Sequence, residues 1–365
     1  MNGASYEQAG VRGQGDALSA VARHLGPTLE LPEGAEVLTR FGQYASVLAV
    51  SPDLAVAIST DGVGSKTIVA SAMDRYDTIG FDCMAMNVND VICVGATPIA
   101  LVDYLGVHTL DARRAEEILK GLGAAAKEAG VAVPGGEIAQ LPEVIGSDGR
   151  GPGDATAFDL VGTCIGVVHP QKLVLGARIE PGDVLLGIAS SGIHSNGLTL
   201  ARRALLERAG YALDEHIPRL GRPLGDELLE PTAIYVRAVA ALRDAEVEAR
   251  GLVHVTSDGF ANLCRLDAPV GYAITELPPA PPIFSLIQEA AEVDTAEMYR
   301  VFNMGTGFVT VTSPGDAERA IAAIGGAGYQ VQRIGVVTAD EGVVRIEPAG
   351  IEGRLDDGES VFRPV

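Results

Sequence analysis

The chain has 365 residues, 47% of them hydrophobic and 21% charged, enough apolar material for two domains with their own cores and too much for a disordered chain. Its formal net charge of −21 opposes binding to nucleic acid or an anionic membrane surface, so an anionic ligand would need a locally positive or amide-lined pocket. Cys83, Cys93, Cys164 and Cys264 stand in apolar contexts without a CxxC pair, the pattern of free thiols in a reducing compartment. With no signal peptide at Met1–Gln8 and no apolar run of membrane length, a cytoplasmic protein is expected.

The first forty residues read as a loosely ordered arm. Residues 45–59 read as a strand pair around Ser51-Pro52-Asp53. The second strand runs into Asp61-Gly62-Val63-Gly64-Ser65-Lys66. Here Gly62 and Gly64 would let the backbone approach phosphate, Lys66 would supply charge and Asp61 would hold a metal. The spacing is not that of a Walker A loop, and a hairpin turn with a solvated lysine would use the same residues. Residues 77–94 are expected to form a helix, with Asp77 or Thr78 as N-cap. Asn87 and Asp90, three apart, share a face of it, and Asp82 lies about two turns before Asp90. Val91, Ile92 and Val94 around Asp90 make a solvent-facing acid awkward and favour a functional one. Carboxylates set into apolar elements are costly unless they bind something. Mg²⁺ holding a nucleotide triphosphate is such a partner, since it takes carboxylate oxygens together with phosphates.

Residues 99–107 read as a buried strand. Residues 111–129 read as an amphipathic helix closed by Gly130. Residues 131–137 read as a strand followed by a Gly135-Gly136 turn, which places Glu137 at a strand end. Residues 158–168 read as another apolar strand. A boundary near residue 170 divides the chain into 1–170 and 171–365. In the second half, the strand from Val184 leads into Ser190-Ser191-Gly192-Ile193-His194-Ser195-Asn196-Gly197 and then a helix over 197–209. Strand, hydroxyl-rich turn and helix together make an anion site; capping by Ser195 or Asn196 with a surface histidine is the plainer alternative. A helix is expected over 230–243. The turns beginning at His254-Val255-Thr256-Ser257-Asp258-Gly259 and at Met298 are further candidates, the latter with Arg300 and Asn303 able to meet polar ligand groups. Residues 335–347 read as a final hairpin. Both halves are α+β or mixed α/β.

This ordered set resembles the aminoimidazole ribonucleotide synthetase (phosphoribosylformylglycinamidine cyclo-ligase) family. The resemblance runs from Ser5-Tyr6-Glu7-Gln8-Ala9-Gly10-Val11 through Thr60–Lys66, Asp77–Gly80, Asn89-Asp90, Gly135–Glu137, Leu141-Pro142, His194–Gly197, Glu230–Val236 and Met298–Gly305 to about Val336. Asp90-x4-Gly95-Ala96-x-Pro98 is similar to the signature of the wider superfamily, which includes selenophosphate synthetase and thiamine-monophosphate kinase. The resemblance implies a two-domain synthetase whose N-terminal sheets join into a barrel in a homodimer. It also implies ATP- and Mg²⁺-dependent closure of an imidazole ring through an iminophosphate. On that reading Asp61 and Asp90 hold metal. Gly62, Gly64, Lys66, Asp82, Asn87 and Glu137 complete the ATP site. Ser191, His194, Ser195, Asn196, Thr256, Arg300 and Asn303 bind the ribonucleotide, and His194, Lys66 and Asp90 are catalytic.

Two departures fall near the expected substrate cleft. Ser257-Asp258 stand where the family usually has two glycines, and Ile138 and Gln140 stand where it has Thr and Glu. An aspartate facing a phosphate would repel it. A diverged paralogue using ATP on another amide or amidine is therefore the alternative. A non-catalytic nucleotide-binding regulator is a third reading, opposed by Asp61, Lys66, Asp90 and His194.

Overall fold

The computed structural model describes residues 5–9, 15–30, 34–147, 153–356 and 359–365. Met1–Ala4 and the Gly10-Val11 end of the N-terminal motif lie outside them. The expected arm contains α1 (Gly15–Leu25) and leads to β1 (Glu36–Val37). Then come β2 (Ser46–Ser51), β3 (Leu54–Gly62), α2 (Lys66–Met73) and α3 (Ile79–Cys93). β4 (Thr97–Val107), α4 (Ala112–Ala129), β5 (Ala132–Gln140) and β6 (Phe158–Val168) complete the first half. Its six strands form one sheet in the order β1-β2-β3-β6-β4-β5, with only β4 and β5 parallel. Asp111 caps α4 by accepting from Arg114 N, and Gly130, at φ +70°, ends it.

The second half begins with β7 (Val184–Ala189) and α5 (Leu198–Arg202), which a π-helical turn extends to Arg208. A small ribbon, β8 (His216–Ile217) and β9 (Arg222–Pro223), precedes α6 (Leu224–Leu228) and α7 (Val236–Asp244). β10 (Ala249–His254), β11 (Gly271–Ile274), α8 (Pro282–Ala291) and α9 (Thr295–Val301) follow. β12 (Thr306–Thr312), α10 (Ala317–Gly326), β13 (Val331–Thr338), β14 (Val344–Ile346), β15 (Ile351–Asp356) and β16 (Glu359–Pro364) end the chain. These strands form an eight-stranded sheet in the order β10-β12-β7-β13-β11-β14-β15-β16. β12 is buried throughout, as its unbroken apolar and threonine run dictates.

α3 joins the halves. All its residues but Phe81 and Asp90 are buried, and it packs on β3 and β6 on one side and on β10 and α7 on the other. A helix whose apolar residues reach round most of its surface needs to be enclosed in this way. α4 crosses it so closely that a Cβ at Gly80 would fall 2.0 Å from Leu122 N, and one at Gly121 would fall 2.2 Å from Asp77 O.

Four expectations need correction. First, 99–107 is buried on one face only: Ile99, Val102 and Tyr104 are exposed, because the sheet carries helices on a single side. Second, Gly135-Gly136 form no turn but lie within β5. Gly136 pairs with Asp103, and a side chain there would strike the Asp103 carboxylate at 2.3 Å. Third, the helix expected over 230–243 starts only at Val236. The preceding backbone is bound elsewhere: Thr232 N donates to Asp82 and Tyr235 N to Asn89, both on α3. Fourth, 335–347 is not a hairpin, since β11 inserts between β13 and β14. The last hairpin is β15–β16.

Candidate active site between the two halves

The end of β3 and helix α3 bring Asp61, Asn87 and Asp90 together. Asn87 Oδ1 accepts from Asp61 N at 2.9 Å, and its Nδ2 donates to Asp61 O and to Cys83 O. Gly62 N donates to Asp61 Oδ1 at 2.7 Å. Burial first, and the Asp90 charge second, push the Asp61 carboxyl up to about 6. Asp90 sits 2.9 Å from His254 Nδ1, and that imidazole is fully buried at the end of β10. Asp61 and Asp90 therefore hold unbalanced negative charge at a partly open site. Among the described residues no three His, Cys, Asp or Glu side chains gather closely enough to hold a metal unaided. Two carboxylates at a partly exposed site are a donor set that suits Mg²⁺, which keeps most of its shell for water and substrate.

Gly64, at φ +71°, turns the chain into α2 and delivers Lys66 to the interior. Lys66 is no solvated lysine: it is fully buried, 2.8 Å from Asp82 Oδ1, and it donates to Glu230 O. That same Asp82 oxygen also accepts from Thr232 N, Thr232 Oγ1 and Ser195 Oγ, while Oδ2 has no partner among the described residues. Asp82 thus ties α2, α3, the 190–197 turn and the 231–235 segment together.

The 190–197 turn is itself pinned. Asn303 donates to Gly192 O and Ile193 O and accepts from Gly305 N, so its side chain is spent holding the loop. Ser191 Oγ donates to Pro231 O. His194 is buried at φ +65°, and its Nε2 accepts from Ser191 N at 3.3 Å. That acceptor role puts the ring proton on Nδ1, which has no partner among the described residues. Burial, then the nearby charges of His254 and Lys66, keep this imidazole well below its ordinary range and neutral. A buried N–H without an acceptor is the kind of group a ligand oxygen or a water satisfies.

Asn196 accepts from Ser257 Oγ at 3.0 Å, joining this turn to Thr256 and Asp258. Asp258, at φ +76°, does not point into open solvent: its Oδ1 accepts from Ser360 and its Oδ2 from Arg265. Arg300 is paired with Glu297 at 2.6 and 2.7 Å. Glu137 lies apart. It pairs with Tyr104 and shares the outward face of the sheet, whereas Asp61 faces α3. Asp103, by contrast, is on the inner face, in one row with Asp61 across Gly162. It is nearly buried, and burial raises its carboxyl. An acid inside the apolar run 99–107 was the sequence signal for it. His254 was visible as the head of a turn, but its bond to Asp90 depends on the pairing of the two halves.

Residues 42–168 match the family model "AIR synthase related protein, N-terminal domain" and residues 180–347 match its C-terminal counterpart. A protein of Methanobrevibacter smithii named phosphoribosylformylglycinamidine cyclo-ligase is 46% identical over 340 residues, covering 92% of this chain and 95% of its own. The chain belongs to the aminoimidazole ribonucleotide (AIR) synthetase family. Solved structures of the same fold include thiamine-monophosphate kinase from Stenotrophomonas maltophilia, with a TM-score of 0.60, 19% identity and coverage of 90% of this chain and 96% of that one. An ATP complex of PurL from T. maritima matches with a TM-score of 0.56 and 16% identity, over 90% of this chain and 46% of that longer chain. The AIR synthetase family fold is thus two-domain and mixed α/β, as expected.

Proposed function

We propose that this protein is a phosphoribosylformylglycinamidine cyclo-ligase of purine biosynthesis, which uses ATP to close formylglycinamidine ribonucleotide into aminoimidazole ribonucleotide. The observation that carries this reading is 46% identity to a relative of that name across both halves. Coverage of both halves, and not of one domain alone, supports reading the whole chain this way.

On this reading ATP, which a protein of the same fold binds, enters beside Asp61 and Asp90, where two acids share a partly exposed site. Mg²⁺ bound there would neutralise charge on the triphosphate. Asn87 fixes the direction of Asp61 and His254 that of Asp90. The ribonucleotide lies against the 190–197 turn and Thr256. Phosphoryl transfer to the formyl amide oxygen gives an iminophosphate. The amidine nitrogen then attacks that carbon, the ring closes and phosphate leaves. Neutral His194 offers its Nδ1–H to an oxygen in this cleft. Lys66 acts from behind the 190–197 turn through Asp82 and not as a free phosphate ligand, and Asn303 and Arg300 act as supports. The outward-facing Glu137 stands outside this protomer's nucleotide site.

We divide the chain at residue 170 into a nucleotide and dimerisation half and a second α+β half. The outer sheet face supports a homodimer: Ile58, Val102, Tyr104 and Ile165 form an exposed apolar surface on adjacent strands. Ile165→Glu should convert a dimer to a monomer in light scattering; a wild-type monomer at micromolar concentration would refute the interface. The four cysteines are free thiols, which supports a reducing, cytoplasmic setting; no described helix is long and apolar enough to cross a membrane.

The structure bears on the alternative acceptor. The Asp258 carboxylate is engaged by Ser360 and Arg265, which weakens the phosphate repulsion on which that alternative chiefly rests. ADP release and imidazole formation with formylglycinamidine ribonucleotide and Mg-ATP test the proposal. ADP release only with a different amide would favour the paralogue, and none with any acceptor the regulator.

A further inference from the structure

Asp258 is an L-residue in the left-handed region, where a side chain is disfavoured unless its surroundings fix it. The fixing group comes from the far end of the chain. Ser360, 5% exposed and on the last strand β16, donates from Oγ at 2.8 Å and from its backbone N at 3.4 Å to Asp258 Oδ1. Arg265 donates to the other oxygen at 3.4 Å. β15 packs on the 259–265 turn and β16 on α9. This hairpin lies beyond residue 347, where the match to the family's C-terminal domain ends.

Neighbouring bonds carry the constraint toward the cleft. Asp258 N donates to Arg300 O on α9, and Asn262 donates to Ser257 O and Gly259 O. A Cβ on Gly259 would fall 1.8 Å from Tyr299 O, so the turn has little room to shift toward α9. Ser257 Oγ then donates to Asn196 of the His194 turn. A continuous path runs from β16 through Asp258 and Ser257 to Asn196.

We propose that the C-terminal hairpin β15–β16 braces the substrate side of the cleft, with Asp258 and Ser360 as positioning residues that hold Ser257 and Asn196 in place. The inference rests on the ribonucleotide lying against the 190–197 and 256–258 turns. None of the bonds of this path involves Asp61, Asn87 or Asp90, so the brace acts on one substrate and not on ATP.

Ser360→Ala and Asp258→Ala should each raise KM for formylglycinamidine ribonucleotide about five-fold or more, with KM for ATP within about two-fold. The double variant should be no worse than Asp258→Ala alone, because one bond is removed twice. Asp258→Asn, which keeps an acceptor oxygen, and Ser360→Thr, which keeps the hydroxyl, should stay near the wild type. Unchanged KM for the ribonucleotide in both alanine variants, or equal rises in both KM values, would overturn the brace. If the wild-type protein does not turn over this ribonucleotide, the cyclo-ligase reading fails by itself. The brace is then read by hydrogen exchange: Ser360→Ala should speed exchange at 256–262 and 194–197 and leave 61–66 unchanged. Equal protection in the two proteins would refute it.

Discussion

Two carboxylates on one helix, eight residues apart, live in opposite circumstances. Asp82, near the start of α3, is fully buried, and one of its oxygens meets Lys66, Thr232 and Ser195. Asp90, near its end, is 18% exposed and shares its site with a second acid, Asp61, and one imidazole. The first has its charge balanced inside the fold and serves as a fastener. The second is left with negative charge that the fold does not balance, and so is available to a cation. Spacing on a helix places acids on a side; the donors supplied by other segments decide which of them can bind a ligand.

The sharpest way to break this comparison is at the sealed end. Lys66→Met should leave Asp82 buried without a counter-charge and cost about 3–5 kcal/mol in denaturant unfolding. A loss under about 1 kcal/mol would show that Asp82 does not depend on the pair. At the open end, Asp90→Asn should keep the melting temperature near that of the wild type and lower turnover about 10²–10³-fold at limiting Mg²⁺. Unchanged turnover would remove Asp90 from the metal site.

Smaller effects refine the contrast. Asp61, raised to about 6, binds a proton more tightly in the folded than in the unfolded chain. Its contribution to stability is therefore full below the ordinary carboxylate range and is lost as pH rises through about 6. Metal binding runs the other way, since the proton competes with the cation. Apparent Mg²⁺ affinity should fall about tenfold between pH 7 and pH 5, and Asp61→Asn should flatten that dependence. A flat profile in the wild type would dissociate Asp61 from the cation. His194→Ala should lower turnover about tenfold while ATP affinity stays within about twofold, measured by calorimetry. Weakened ATP binding would move His194 to the nucleotide side.

Sequence alone located α4 almost to the residue, because an amphipathic repeat and a closing Gly130 are local signals; the Asp111 cap shows only in the structure. It also located α3 and the acids on it. It misread what depended on distant partners. Lys66 reads as a charge for phosphate, or else as a solvated turn residue, until Asp82 and the carbonyl of Glu230 are placed around it. Residues 231–235 resemble the first turn of a helix, but their amides are taken by Asp82 and Asn89. Gly135-Gly136 carry the composition of a turn. Their role in a strand is set by Asp103 on the neighbouring strand. A false hairpin over 335–347 arose because nothing local announces that β11 will come between its arms.

The enclosure of α3 also sets how the molecule can move. Asn89 donates to Ala233 O and accepts from Tyr235 N, and Asp82 holds the same segment. Drawing the halves apart would break these bonds together and open the apolar faces of α3 to water, at about 25 cal/mol for each Å² exposed. Wide separation of the halves is therefore costly. The halves should melt together, in one calorimetric transition.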